Sequence, residues 1–223
     1  MATRLPPVRL GILISGTGTN LQAIIDAIAQ GRLQAEIRLV VSNRASAPGL
    51  QRAQAAGLRT MVIDHRAFAS RQAFDWRMRQ ALEEAAVELV ILAGFMRLLS
   101  PVMLQGFPDR IMNIHPALLP AFPGLDVQRA AIDHGARFSG CTVFFVREGI
   151  DDGPIIIQAV VPVYPTDSPA DLAHRIQLQE HRIYPRAIAL FQQKRLQISG
   201  KRVLIKDWDT SNAGAALINP ESD

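Results

Sequence analysis

The 223-residue sequence predicts an α/β fold, an open and doubly wound sheet that is mostly parallel and carries antiparallel strands in its C-terminal part. Three observations carry that expectation. Apolar runs of strand length alternate with stretches of helical period. The runs are flush with Val, Ile and Leu, as expected where helices cover both faces of a parallel sheet. After Gly140, two apolar runs are joined by a loop too short for a parallel crossover.

Taken in order, residues 8–14 form the first strand, Gly16 and Gly18 mark a turn, and Leu21, Ile24, Ile25 and Ile28 recur at helical spacing. Residues 37–41 repeat the strand signal, followed by a short helix over 50–56 and a third strand over 61–63. Ser70 starts a helix with Phe74, Met78, Leu82 and Ala85 along one face and Arg71, Arg77 and Glu84 elsewhere. Residues 88–93 and 110–114 are further buried strands. Residues 141–146 and 155–163 read as an antiparallel pair, and 168–193 as a long helix in which Pro185 is the place for a kink. A single domain over 1–209 is expected, with a poorly ordered tail over 210–223.

The hydrophobic fraction of 48% suffices for one large core. The single cysteine, Cys141, excludes an intramolecular disulfide and points to a reducing, cytoplasmic setting. It lies in an apolar run with no base nearby, which reads as a packed strand thiol. A net charge of +4 spread along the chain argues against nucleic acid and suits a small anionic substrate. Residues 1–7 lack the apolar core of a signal peptide, and no run approaches the ~18 apolar residues of a membrane span.

Met112-Asn113-Ile114-His115-Pro116 sits at a strand end, where residues two apart point the same way. Asn113 and His115 would then converge on a volume able to hold a reacting carbonyl, the amide stabilising an oxyanion and the imidazole donating a proton, as acyl or formyl transfer requires. The plainer alternative is a strand end whose polar side chains satisfy loose backbone groups. Ser15-Gly16-Thr17-Gly18-Thr19-Asn20 opens a helix, where backbone N–H groups and the helix dipole make an anion site. Leu21 replaces the third glycine of a dinucleotide fingerprint and no acidic residue ends the second strand, so a mononucleotide-type phosphate fits better than NAD(P), with a simple connecting turn as the alternative. Asp151 and Asp152 precede Gly153-Pro154; they read either as turn formers or as supplying one carboxylate that reaches His115 and raises its pKa above ~6.5. The glycine turn, Gly94-Phe95-Met96-Arg97 and Asn113 to Pro116 all follow strands and should share one rim of the sheet. Scattered histidines and a lone cysteine argue against a metal, and no G-x-S-x-G elbow suggests a serine acyl-enzyme.

Five segments in order resemble the phosphoribosylglycinamide formyltransferase family of purine synthesis: Ile14-Ser15-Gly16-Thr17-Gly18-Thr19-Asn20-Leu21, Leu92-Ala93-Gly94-Phe95-Met96-Arg97, Asn113-Ile114-His115-Pro116-Ala117-Leu118-Leu119-Pro120, Asp151-Asp152-Gly153-Pro154 and Gln179-Glu180-His181-Arg182-Ile183-Tyr184-Pro185. The resemblance runs from about residue 8 to about residue 196 and implies a Rossmann-like formyltransferase fold. It implies Asn113, His115 and Asp151 as catalytic residues, and Gly18, Thr19, Asn20, Gln177 and Glu180 as ligands of glycinamide ribonucleotide. It likewise implies that 10-formyltetrahydrofolate, as co-substrate, is held by Arg71, by Met96, Arg97, Leu98 and Leu99, by Asn113, and by the loop Arg147, Glu148, Gly149, Ile150 and Asp151. Without the resemblance, Met96 to Leu99 read as core packing, Arg71 as a solvated helix face, and Gln177 with Glu180 as an exposed helical surface. The chain departs from the family pattern at Ala117 and Phe144, where many members carry Ser and His. Rival expectations are formylfolate hydrolysis or formyl transfer to another amine, a noncatalytic folate or nucleotide module, and a dehydrogenase. The sequence is silent on oligomeric state.

Overall fold

The computed structural model describes residues 5–208, so the tail expected over 210–223 lies outside the described residues. Its centre is a nine-stranded sheet built from β1 (Val8–Ile14), β2 (Ala35–Ser42), β3 (Thr60–Val62), β4 (Leu89–Leu92), β5 (Ile111–His115), β6 (Phe138–Phe145), β7 (Ile155–Pro162), β8 (Leu196–Ser199) and β9 (Arg202–Ile205). Across the sheet the order is β3-β2-β1-β4-β5-β6-β7-β9-β8. The first five strands are mutually parallel, and β6 runs antiparallel to both β5 and β7. The expected fold class holds. Winding proceeds outward from β1 to β3, then returns to place β4 on the other side of β1, so the order reverses between β1 and β4.

Helices α1 (Thr19–Ala29), α2 (Gly49–Ala55), α3 (Arg71–Glu84), α4 (Pro101–Gly106), α5 (Val127–Asp133) and α6 (Pro169–Gln192) cover the two faces. The core is accordingly double. Leu10, Ile12, Leu89, Ile91, Met112 and Ile114 pack with apolar residues of α1, α2, α5 and α6. Leu13, Val90, Leu92 and Ile111 pack with those of α3 and α4. Strand pleating explains the division: neighbours along β4 and β5 face opposite layers, which is why both faces had to be apolar. By the same alternation Asn113 and His115 fall on the side of Ile111.

Local signals placed most boundaries. Ser70 caps α3 by accepting from Ala73 N, and Ser168 with Asp171 forms a capping box at the start of α6. Helix α6 continues through Pro185 without a break, although the proline deprives the His181 carbonyl of its helical donor. Helices α4 and α5, of six and seven residues, are too short to show a period and were not anticipated. Neither was the β8–β9 hairpin, whose half-buried alternation was legible in Leu196, Ile198, Val203 and Ile205.

One buried side chain ties α6 to the sheet beneath the prospective site. The Tyr184 hydroxyl is shared between the carbonyls of Leu92, at 3.0 Å, and Met112, at 2.9 Å. Leu92 ends β4 and Met112 directly precedes Asn113 within β5, so Tyr184 ties both strands to the helix carrying Gln177 and Glu180. Tyr184→Phe is expected to leave both acceptors without this donor and to cost about 1–3 kcal/mol, seen as a lower urea midpoint at unchanged m value.

Candidate active site

The glycine turn is shaped by close packing. Gly18 lies in the left-handed region at φ 71° and a Cβ there would stand 2.7 Å from the Gly49 Cα, so a side chain is excluded by conformation and by space. Gly49 N donates to the Gly16 carbonyl at 3.0 Å, and Arg52 Nε donates to the Thr17 carbonyl at 2.9 Å. On the opposite side, Gln177 Nε2 donates to Thr19 Oγ1 at 3.1 Å and Asn20 Nδ2 to Glu180 Oε2 at 2.9 Å. Helix α6 thus brings Gln177 and Glu180 to the turn, and Glu180 is buried rather than part of a solvated helix surface. A cavity of about 380 Å³ opens beside the turn, with Thr19, Arg32, Arg52 and His181 in its wall. Burial pushes the Glu180 carboxyl above its ordinary range, against the opposing effects of the Asn20 hydrogen bond and the charge of His115.

His115, at the end of β5, is buried with both ring nitrogens engaged. Nε2 donates to the Phe122 carbonyl at 2.8 Å, and Nδ1 lies 3.3 Å from Asp151 Oδ2. The same carboxylate oxygen accepts from Gly124 N at 3.0 Å. Which of the two aspartates reaches the histidine was open in the sequence; Asp152 instead turns outward to Lys201 Nζ at 3.2 Å. Gly153 makes the turn possible, because a Cβ there would stand 1.6 Å from the Phe145 carbonyl oxygen. The Asn113 amide makes no side-chain hydrogen bond among the described residues.

The chain after His115 is held on β6 and β7. Thr142 Oγ1 accepts from Leu119 N at 3.1 Å and donates to the Ala117 carbonyl at 2.7 Å, while Gln158 Nε2 donates to the Leu119 carbonyl at 2.8 Å. Sequence reasoning missed Thr142 and Gln158 because each lay in an otherwise apolar strand with no motif of its own, and it gave Tyr184 no role although the residue lies in the fifth family segment. Ala117 and Phe144 are buried and contribute no polar group, and Phe144 is the strand partner of Asn113.

The positions assigned to the folate co-substrate are more open. Met96 and Leu98 are exposed, and the Arg97 guanidinium carbon lies 5.9 Å from the centre of the Phe74 ring. Arg71 is exposed on the first turn of α3. The Arg147 side chain pairs with Asp109 Oδ1 at 2.5 Å, and Glu148, Gly149 and Ile150 are exposed. Cys141 is buried in β6, its thiol pushed up to about 12 by burial and by Glu180, so it offers no thiolate. Among the described residues, no group of three or more His, Cys, Asp or Glu is placed to hold a metal ion, and no helix is long and apolar enough to cross a membrane.

The formyl transferase family profile matches residues 8–188. The phosphoribosylglycinamide formyltransferase of Escherichia coli is 46% identical over 187 residues, covering 84% of this chain and 88% of that protein. The trifunctional purine biosynthetic protein adenosine-3 of Drosophila pseudoobscura is 51% identical over 188 residues; the match covers 83% of this chain but spans only 14% of that much longer protein. Among solved structures, glycinamide ribonucleotide transformylase 1 of Symbiobacterium toebii superposes with a TM-score of 0.88 at 53% identity, covering 89% of this chain and 94% of that one. With a profile match over most of its length and relatives well above 40% identity, the chain belongs to the formyl transferase family.

Proposed function

We propose that the chain transfers a formyl group from 10-formyltetrahydrofolate to the amine of glycinamide ribonucleotide, in the cytoplasm, as a step of purine synthesis. The observation that carries the reading is a buried imidazole–carboxylate pair, His115 and Asp151, with His115 on the same strand face as Asn113, whose amide is unpaired among the described residues, and on the same rim as the glycine turn that opens α1. The anion site selects a phosphorylated acceptor, which favours this reaction over hydrolysis of the folate. Gly18, Thr19 and Asn20 receive the phosphate, and Gln177 and Glu180 the glycinamide and ribose. Arg71, the 96–99 segment, Asn113 and the 147–151 loop receive the folate. The Arg147 guanidinium is already engaged by Asp109, so its contribution comes from backbone.

The amine nitrogen attacks the formyl carbon, and the carbonyl oxygen becomes an oxyanion held by Asn113 Nδ2–H and His115 Nε2–H. The bond from that carbon to the folate N10 then breaks, N10 takes a proton from His115, and the proton of the attacking amine passes through water to Asp151. A carbonyl and a carboxylate flank the two ring nitrogens in the resting structure, and only a ring protonated on both serves both acceptors. Productive engagement exchanges the Phe122 carbonyl for the formyl oxygen at Nε2 while Asp151 stays on Nδ1. Phe122 sits at φ 52°, an unfavourable conformation for a bulky residue, which lowers the cost of moving its segment.

Asn113→Ala is expected to lower kcat by ~10²–10³ with little change in the KM for glycinamide ribonucleotide, read by formation of tetrahydrofolate from 10-formyltetrahydrofolate with and without the nucleotide. Near-normal turnover removes Asn113 from the oxyanion site, and folate deformylation independent of the nucleotide favours the hydrolase. Glu180 gives a stability test. Its carboxyl holds a proton to higher pH in the folded chain than in the unfolded one, so it supports the fold below about 4.5, the ordinary glutamate value, and that support is lost as pH rises through the elevated value. Glu180→Gln should therefore raise Tm at neutral pH, the gain vanishing below that ordinary value, while the KM for the nucleotide increases.

A further inference from the structure

The segment carrying Met96, Arg97, Leu98 and Leu99 has no regular secondary structure, yet both its ends are bonded to buried side chains. At the near end, Ser15 is 3% exposed, and its Oγ donates to Asn43 Oδ1 at 2.6 Å and accepts from Met96 N at 2.9 Å. Asn43, itself 2% exposed, donates through Nδ2 to His65 Nδ1 at 3.3 Å, which sets the amide so that its oxygen faces the serine. The serine proton is thereby directed away from Met96, leaving a lone pair for the Met96 N–H. At the far end, Asp75 on α3 is 1% exposed, and its Oδ2 accepts from Ser100 N at 2.5 Å, just before α4. Between these two points, the main-chain N–H and C=O groups of Arg97, Leu98 and Leu99 make no hydrogen bond to any described residue.

Asp75 is a costly way to hold a loop. Burial raises its pKa, with Ser100, Arg71 and Arg97 acting in the opposite direction, and its second oxygen, like Arg97 Nε and Ser100 Oγ, is buried without a hydrogen-bond partner among the described residues. An apolar residue at that position would pack without this cost. What the carboxylate adds is position: it fixes where residue 100 begins, and its charge lies between two arginines assigned to the same ligand.

We propose that Ser15 and Asp75 are positioning residues for the folate co-substrate, fixing the two ends of the 96–99 segment so that its main chain meets the ligand already ordered. The inference rests on the reading of 96–99 as folate-binding. A segment held at both ends loses little further conformational freedom on binding, and that saving is expressed as affinity for the one ligand it contacts. The effect belongs in the KM for the folate; for Asp75, on α3 and away from the glycine turn, it should not appear in kcat or in the KM for the nucleotide.

The experiment is two-substrate steady-state kinetics on Ser15→Ala, Asp75→Ala and Asp75→Asn, the last keeping an oxygen able to accept from Ser100 N. For both alanine variants the KM for 10-formyltetrahydrofolate should rise about tenfold; for Asp75→Ala, which lies outside the nucleotide turn, kcat and the nucleotide KM should stay within about twofold, and Asp75→Asn should recover most of the loss. An unchanged folate KM, parallel changes in both KM values for Asp75→Ala, or an Asp75→Asn no better than Asp75→Ala overturns it. Should Asp75→Ala not fold, Ser15→Ala and Asp75→Asn carry the comparison. If the wild-type chain shows no formyl transfer, calorimetric titration with 10-formyltetrahydrofolate separates the two ideas. Wild-type binding that weakens in the variants supports the fixed segment while the transfer reading fails, and no wild-type binding overturns both.

Discussion

The reversal of winding between β1 and β4 is the constraint on which the site depends. Chains leaving β1 and β4 must diverge to opposite sides of the sheet, which opens a crevice at their carboxyl ends. Into it the protein places a glycine turn from β1 and an irregular segment from β4, with the Asn113–His115 strand end alongside. These are joined by a few bonds: Ser15 N donates to the Gly94 carbonyl, Met96 N to the buried Ser15 Oγ, and the buried Tyr184 hydroxyl to the Leu92 carbonyl of β4 and the Met112 carbonyl of β5. Each fixes one segment relative to another, and none sits on a mobile exposed side chain.

The antiparallel turn at β6 is the second requirement. A parallel strand beside β5 would have sent the chain away over a helix, whereas antiparallel β6 ends opposite Met112 and its loop to β7 turns back far enough for Asp151 to meet His115. That loop carries Asp151 to His115, and the side chains of Thr142 and Gln158 hold the strand-end loop that supplies Phe122 and Gly124. The carboxylate therefore comes from rigid strands through a turn of defined geometry, with Asp151 at φ 50° and Gly153 against the Phe145 carbonyl. A buried imidazole–carboxylate pair at 3.3 Å is effective only when its orientation is fixed, since desolvation otherwise outweighs the attraction.

Much of this was legible in the sequence because it follows from periodicity and punctuation. Flush apolar runs gave the parallel strands, Ser70 and Ser168 gave two helix starts, and the short 147–154 connection gave the antiparallel pair. The Asn113–His115 spacing gave their shared face from pleating alone. What was not legible is whatever depends on distance across the fold. Nothing local distinguishes Asp151 from Asp152, and Gln177 and Glu180 look like an exposed helical pair until α6 is packed on α1. Ser15 and Asp75 carry no motif for their partners, which lie 81 and 25 residues away.

The chemistry follows from what the crevice lacks as much as from what it holds. Cys141 is deep in β6 with its thiol pushed up to about 12, so it cannot serve as a nucleophile at neutral pH. The proposed reaction therefore passes the formyl group directly between two bound substrates, and its catalysis reduces to proximity and oxyanion stabilisation. Both demand that donor and acceptor be held at once with little play. On the proposed reading, the glycine turn bonded to α2 and α6 provides this on one side, and the 96–99 segment provides it on the other. On the same reading His115, at the end of β5, has only to release the Phe122 carbonyl to meet the formyl oxygen.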